Sequence, residues 1–196
     1  MIFQVGITGG IGSGKTLVCR VFEKLGIPVY YADSRARWLM NHEPALIEGI
    51  QQLLGAESYR GGELQGEYVA DRVFRDPEML NRLNGIVHPA VRNHYIQWVN
   101  NQDDADYVIE EAAILFESGA YRFLDYNVLV FAPEELRIRR VMDRDGVSEE
   151  EVRLRMKRQM KEEDKKKLAD KVINNDETGM LLPQIISLHR RILKFK

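Results

Sequence analysis

Residues Gly9 to Thr16 read Gly-Gly-Ile-Gly-Ser-Gly-Lys-Thr and fit the spacing G-x-x-x-x-G-K-[ST]. Each residue type in that run has a task in binding phosphate. The glycines let backbone N–H groups wrap an anion without Cβ clashes. Lys15 can reach the β- and γ-phosphates of a nucleotide, and the Thr16 hydroxyl can bind Mg²⁺. A helix starting here aims the positive end of its dipole at the same anion. A dinucleotide fingerprint is excluded, because G-x-G-x-x-G starting at Gly10 needs glycine where Lys15 stands.

Other groups at strand ends could do chemistry beside that loop. Asp33 follows an apolar run ending at Tyr31, where side chains face the ligand crevice of a parallel sheet. A carboxylate there can accept the proton of an attacking hydroxyl, or cap a helix starting at Ser34. Glu110 and Glu111 end a further strand. One of them could orient Mg²⁺ through water, or the two could form a surface pair. His88-Pro89 marks a helix start, since proline favours the first helical position. That would set an imidazole and a helix N-terminus at an anionic substrate, with Arg92 one turn on. Arg140 and Arg144 lie four apart and share a helix face. Their run, residues 134–168, reads on its own as a solvated charged face. Beside a phosphate loop it reads as a lid that closes over the γ-phosphate.

The elements that position these groups alternate. Strands are predicted at Ile2–Thr8, Ile27–Tyr31, Tyr107–Glu111, Tyr126–Ala132 and Lys171–Asn174, with helical periods between them. The first helix carries Leu17, Val18, Val21, Phe22 and Leu25 and stops at Gly26. The last spans about 179–193. This is an α/β pattern, a five-stranded parallel sheet with helices on both faces. Residues 1–33, 102–133 and 169–196 form the expected nucleotide-binding core. Residues 34–101 are too long for one crossover and form a helical substrate-binding insertion, with Gly55–Gly66 as a loop inside it.

Composition narrows the classes. The chain has 196 residues, 44% hydrophobic, and a net charge of −2, which argues against general nucleic-acid binding. Its one cysteine, Cys19, suits a reducing cytosol and reads as core packing rather than a reactive thiol. No apolar run is long enough to span a membrane, and the N-terminal run leads straight into the loop without a signal-peptide pattern. His42, His94 and His189 show no metal-ligand spacing.

The residues resemble a known family over nearly the whole chain, that of dephospho-CoA kinase. Val5 through Lys15 is similar to its extended N-terminal signature. Val29-Tyr-Tyr-Ala-Asp33 resembles the segment ending in its catalytic aspartate, and Ile86-Val-His-Pro89 its His-Pro motif near the coenzyme A portion. Ile114-Leu-Phe-Glu117-Ser-Gly119 resembles another family stretch. Arg140-x-x-x-Arg144-Asp-Gly146 and Arg155-x-x-x-Gln159 look like its lid. Ala169-Asp170 and Val172-Ile173-x-Asn175 resemble the adenine-side motif. The chain departs from the usual pattern at Ala113 (proline), Glu177 (glycine) and Asn174 (often acidic).

The resemblance implies a cytoplasmic enzyme of coenzyme A biosynthesis. Its substrates would be ATP and dephospho-CoA, with Mg²⁺ held by Thr16 and no nucleic-acid or membrane partner. ATP would contact Gly10, Ile11, Gly12, Ser13, Gly14, Lys15, Thr16, Leu17 and Asn175. His88, Pro89 and Arg92 would hold the acceptor. The ribose 3′-hydroxyl would attack the γ-phosphate with Asp33 as base, while Lys15, Arg140 and Arg144 stabilise charge. The nearest alternative is another phosphate-loop kinase of nucleosides or nucleotides. A GTP switch would need an Asn-Lys-x-Asp motif, which is missing; Asp143-Arg-Asp-Gly146 matches D-x-x-G but follows a helix. A non-catalytic ATP-binding adaptor is the remaining class. The sequence leaves oligomeric state open.

Overall fold

The computed structural model describes residues 2–74 and 76–195, which divide into two compact units: 1–31 with 102–196, and Ala32–Asn101. The first unit opens with β1 (Phe3–Thr8), α1 (Lys15–Lys24) and β2 (Val29–Tyr31). The second holds α2 (Ala32–His42), α3 (Pro44–Leu54), a hairpin of β3 (Tyr59–Arg60) and β4 (Glu63–Leu64), α4 (Gly66–Phe74) and α5 (Pro77–Val99). The chain then completes the first unit. It adds β5 (Tyr107–Glu111), β6 (Tyr126–Phe131), α6 (Glu134–Asp145), α7 (Glu149–Met156), α8 (Glu162–Leu168), β7 (Lys171–Asn174) and α9 (Leu181–Ile192).

The main sheet is wholly parallel, in the order β2-β5-β1-β6-β7. Its central strands are apolar on both faces because helices cover both. Val5, Ile7, Ile109, Val128 and Val130 are fully buried, and α1 and α9 pack Val18, Phe22, Ile185 and Leu188 against that sheet. Each such side chain removed from water contributes about 1.5–3 kcal/mol. With β1 in the middle, its C-terminal end delivers the Gly9–Thr16 loop to the centre of the sheet edge where ligands bind in such folds.

The second unit has its own core of Leu39, Leu46, Ile50, Leu54, Val69, Val73, Leu83 and Val87. A smaller cluster joins α6 to α7: Ile138, Val141 and Val152, with Ile11 of the phosphate loop packed against them. Helix α6 ends at Gly146 in the left-handed conformation, and Ser148 opens α7 with a capping box to Glu151.

Four expectations are corrected. The second strand starts at Val29, since Pro28 cannot donate to a ladder, although its carbonyl accepts from the Ile109 N–H. Residues 55–66 are not only loop: Gly61 and Gly62, both at positive φ, close the β3–β4 hairpin. No helix starts at Pro89. It lies inside the 23-residue α5, which Asp76 caps with bonds to the Glu78 and Met79 N–H groups and which Pro77 opens. Helix α2 starts at Ala32, so Asp33 sits in its first turn rather than capping a helix from Ser34, and it falls in the second unit rather than with the core segment 1–33.

Candidate active site

The N-terminus of α1 is built to meet an anion. Its N-cap is Gly14 at φ 90°, with no side-chain cap and no acidic residue in the first turn. The first N–H groups of a helix have no intrahelical partner, so Lys15 and Thr16 present theirs with the positive dipole end behind them. The loop is closed by a bond from the Ser13 N–H to the Gly10 carbonyl, 3.0 Å. Ser13 Oγ is buried with no hydrogen bond among the described residues. Only glycine fits at position 14: a Cβ there would lie 2.3 Å from Asn175 Nδ2.

Lys15 Nζ lies 3.4 Å from Glu111 Oε1, with both side chains largely buried. Glu110 and Glu111 are each 5% exposed, so the pair is not a surface feature. Alternation along a strand sends the two to opposite faces, and Glu111 is the one beside the loop lysine.

A second set of contacts ties the arginine-rich helices to the loop. Asn175 donates from Nδ2 to the Ser13 carbonyl at 2.8 Å, and its own carbonyl accepts from Arg140 Nη1 at 3.1 Å. Arg140, Asn175 and Ser13 are thus one chain of contacts. Arg140 Nη2 also meets Glu177 Oε1 at 3.0 Å, and Arg139 meets Oε2 of the same carboxylate at 3.0 Å. Glu177, where the resemblance implies glycine, has φ 65° and is the one non-glycine with positive φ among the described residues. Arg144 is more exposed and is held by Asp145 through two bonds, 2.6 and 3.0 Å. That pairing holds the Asp145 carboxyl below its ordinary range, with Arg155 adding to it. Arg140 and Arg144 share a face of α6 as the spacing implied, but with different partners.

In the second unit, Asp33 is exposed on the first turn of α2. His88 and Arg92 are four apart on α5 and share a face. Burial lowers the His88 pKa, which favours the neutral imidazole. The Arg92 guanidinium lies 5.7 Å from the Tyr95 ring centre. Pro89 cannot donate to the Gly85 carbonyl one turn back, so that carbonyl lacks its helical partner.

Sequence reasoning gave no role to a buried charge cluster in the first unit. Lys165, fully buried on α8, lies 3.3 Å from Glu117 and 3.9 Å from Glu162, and Glu162 lies 3.5 Å from Arg137. Burial raises the Glu162 pKa, opposed by the Arg137 and Lys165 charges. Arg137 and Glu162 close directly on the loop: a Cβ on Gly10 would sit 2.1 Å from Arg137 Nη1 and 2.5 Å from Glu162 Oε1. Arg137, Glu162 and Lys165 were present as charge in the 134–168 run, with Glu117 outside it, but nothing local marks which charges of an amphipathic helix turn inward.

The remaining singled-out residues are structural. Cys19 is fully buried in the sheet–helix core, and burial, then the Glu111 charge, pushes its thiol well above its ordinary value. His189 Nδ1 bonds the Tyr107 hydroxyl at 2.8 Å, and His42 stacks on Trp38.

A magnesium ion fits these residues. Mg²⁺ keeps several waters and takes one or two protein oxygens plus substrate phosphates, and the exposed Thr16 hydroxyl beside the α1 N-terminus is the group that would hold it. No described helix is long and apolar enough to cross a membrane.

Comparison with known proteins finds relatives over nearly the whole chain. A family model described as dephospho-CoA kinase matches residues 3–180. The chain is 40% identical to a dephospho-CoA kinase of Porphyromonas gingivalis over 188 residues, covering 95% of this chain and 93% of the relative. It is 39% identical to one of Bacteroides fragilis, covering 96% and 92%. A crystal structure from Thermus thermophilus superposes with a TM-score of 0.85 at 37% identity, covering 98% of this chain and 97% of that one. A shikimate kinase from Bacteroides thetaiotaomicron shares the fold, with a TM-score of 0.54 at 13% identity over 99% of each chain.

Proposed function

This chain belongs to the dephospho-CoA kinase family, and from that premise we propose how its residues divide the work. The enzyme is a kinase that transfers a phosphoryl group from ATP to dephospho-CoA, giving coenzyme A and ADP. The observation that carries the residue-level reading is the chain of contacts Arg140–Asn175–Ser13 beside the Lys15–Glu111 pair.

In our reading the triphosphate lies on residues 10–16, with the Lys15 and Thr16 N–H groups on its oxygens, and Leu17 completes that turn. Lys15 neutralises charge on the β- and γ-phosphates, held in place by Glu111. Thr16 would hold Mg²⁺, which would supply positive charge to offset that of the phosphates. The ribose 3′-hydroxyl of dephospho-CoA is the nucleophile, and Asp33 accepts or orients its proton. His88, Pro89 and Arg92 hold the acceptor. The half-buried imidazole of His88, its pKa lowered by burial, favours the neutral form, which can give or take a hydrogen bond. Arg140 and Arg144 stabilise the transferring group as residues 134–168 close and exclude water, which would otherwise hydrolyse ATP. Asn175 borders the adenine. We place the enzyme in the cytoplasm, where a protein with one buried thiol needs no oxidising environment.

The test is ADP release by purified protein with ATP, Mg²⁺ and dephospho-CoA, with the product weighed by mass spectrometry. Release that depends on dephospho-CoA, with a product heavier by one phosphoryl group, supports the reading. Turnover only with a nucleoside or nucleoside monophosphate would move the enzyme to the alternative acceptor class. ATP binding without turnover on any acceptor would favour the adaptor.

A further inference from the structure

The phosphate loop is gripped from outside by groups that the transfer reaction does not itself use. The Ile11 N–H donates to Gln159 Oε1 at 2.9 Å. The next residue, Met160, donates its N–H to Glu117 Oε1 at 2.9 Å, and the same oxygen lies 3.3 Å from the buried Lys165 amine. Glu117 therefore fixes the backbone that carries Gln159, and Gln159 fixes the loop. The path starts in the turn after β5, passes through the segment before α8 and ends inside Gly9–Thr16.

We propose that Gln159 is a positioning residue for phosphoryl transfer, and that Glu117 and Lys165 hold it in register with the loop. This rests on the kinase reading above. Gln159 is suited to the task because its amide is neutral. A carboxylate would accept the same bond but would add negative charge beside a triphosphate. The Glu117–Lys165 pair is suited because Lys165 is fully buried and Glu117 largely so, where ionic contacts are screened less. Misplacing reacting groups by about 1 Å can cost on the order of 10²-fold in rate, so a lost Ile11 contact should act on turnover more than on folding.

The test uses Gln159→Leu, Gln159→Glu, Glu117→Gln and the Glu117→Gln/Gln159→Leu pair in the full-length enzyme. Turnover and thermal unfolding are measured together, along with hydrogen exchange at the Ile11 amide. We expect Gln159→Leu to lower kcat about tenfold or more, with KM for ATP within about threefold, and to speed Ile11 exchange. Gln159→Glu should keep the Ile11 amide protected and kcat near the parent while raising KM for ATP. Glu117→Gln keeps an acceptor for Met160 but discharges the pair, and should lower kcat in the same direction as Gln159→Leu. The double variant should be no slower than Gln159→Leu alone, because the two act in one path. Additive losses would overturn the coupling. A lowered unfolding temperature with kcat within twofold of the parent would reduce Gln159 to a structural contact. Ile11 exchange reads the contact without turnover. An unreactive parent enzyme would therefore sink the kinase reading, while unchanged Ile11 exchange in Gln159→Leu would sink this one.

Discussion

Replacing Glu177 with glycine separates backbone strain from electrostatics at Arg140. Glu177 holds φ 65°, a conformation that costs a non-glycine residue about 1 kcal/mol or more. Glycine relieves that strain but loses about 0.5–1 kcal/mol to the freedom of the unfolded chain. The variant also loses the pairs with Arg139 and Arg140, both 3.0 Å. The carboxylate is 54% exposed, so solvent screens them and together they contribute about 0.5–1 kcal/mol. The terms nearly cancel. The net loss is about 0–1 kcal/mol, which lowers the unfolding temperature by no more than about 4 °C for a chain of this size.

Catalysis is the sharper readout. If Arg140 must leave Glu177 to serve the transferring phosphoryl group, removing the carboxylate returns about 0.2–1 kcal/mol to that step, a gain of roughly 1.4- to fivefold in kcat. The gain should shrink as salt rises toward about 1 M, where the screening length is about 3 Å. Glu177→Gln is the control: it discharges the pair but keeps the strained backbone, so it should show the same rate gain with a lower unfolding temperature than the glycine variant. The assay is steady-state ADP release with dephospho-CoA across a salt series, alongside thermal melts. A threefold fall in kcat would refute the reasoning and make Glu177 a support that holds Arg140 in its working position. A gain that does not respond to salt would refute its electrostatic origin.

Three further outcomes are expected. Asp33→Asn should lose about 10²–10⁴-fold in kcat while still binding ATP; near-normal turnover would remove Asp33 from the role of base. Gly14→Ala forces a Cβ to 2.3 Å from Asn175 Nδ2 at φ 90°. It should cost about 2–3 kcal/mol in strain and a broken Asn175–Ser13 bond, or about 4–12 °C in unfolding temperature, and weaken ATP binding; an unchanged melt would contradict this. His88 has its pKa lowered by burial from 6.5, so the unfolded chain binds a proton there more readily than the fold does. Stability should therefore fall as pH drops below about 6.5, with His94, lowered by burial and Arg35, adding to the slope. His88→Asn should flatten that slope in denaturant titrations between about pH 7.5 and 5.5, and an unchanged slope would argue against a lowered pKa at His88.

Much of the fold was legible because its signals are local. Tyr107–Glu111 and Lys171–Asn174 are bounded in the structure as the sequence predicts, since a short apolar run between polar segments leaves little choice. The phosphate loop was legible for a similar reason: its glycines and lysine act within eight residues. His88-Pro89 was misread because proline at a first helical position and proline inside a long helix share one local sequence. Only the Asp76 cap, twelve residues upstream, distinguishes them. The Lys165–Glu117–Glu162–Arg137 cluster was illegible for a different reason. Its members span residues 117–165 and come together only when α6 and α8 pack under the loop. Choosing between Glu110 and Glu111 likewise required the register of β5 against β1.

The parallel pairing of β1 with β5 joins Phe3 to Tyr107, about a hundred residues apart, and the intervening chain includes the whole of Ala32–Asn101. That pairing sets an order of assembly. Helices α2 to α5 make contacts close in sequence and can form early, whereas the centre of the sheet must wait for a long loop to close. Once the inserted helices have packed, about seventy flexible residues become one fixed span. The loop that remains is about a third as long, which lowers the closure cost by roughly 1 kcal/mol. The inserted unit therefore shortens the search by which the nucleotide-binding sheet finds its register.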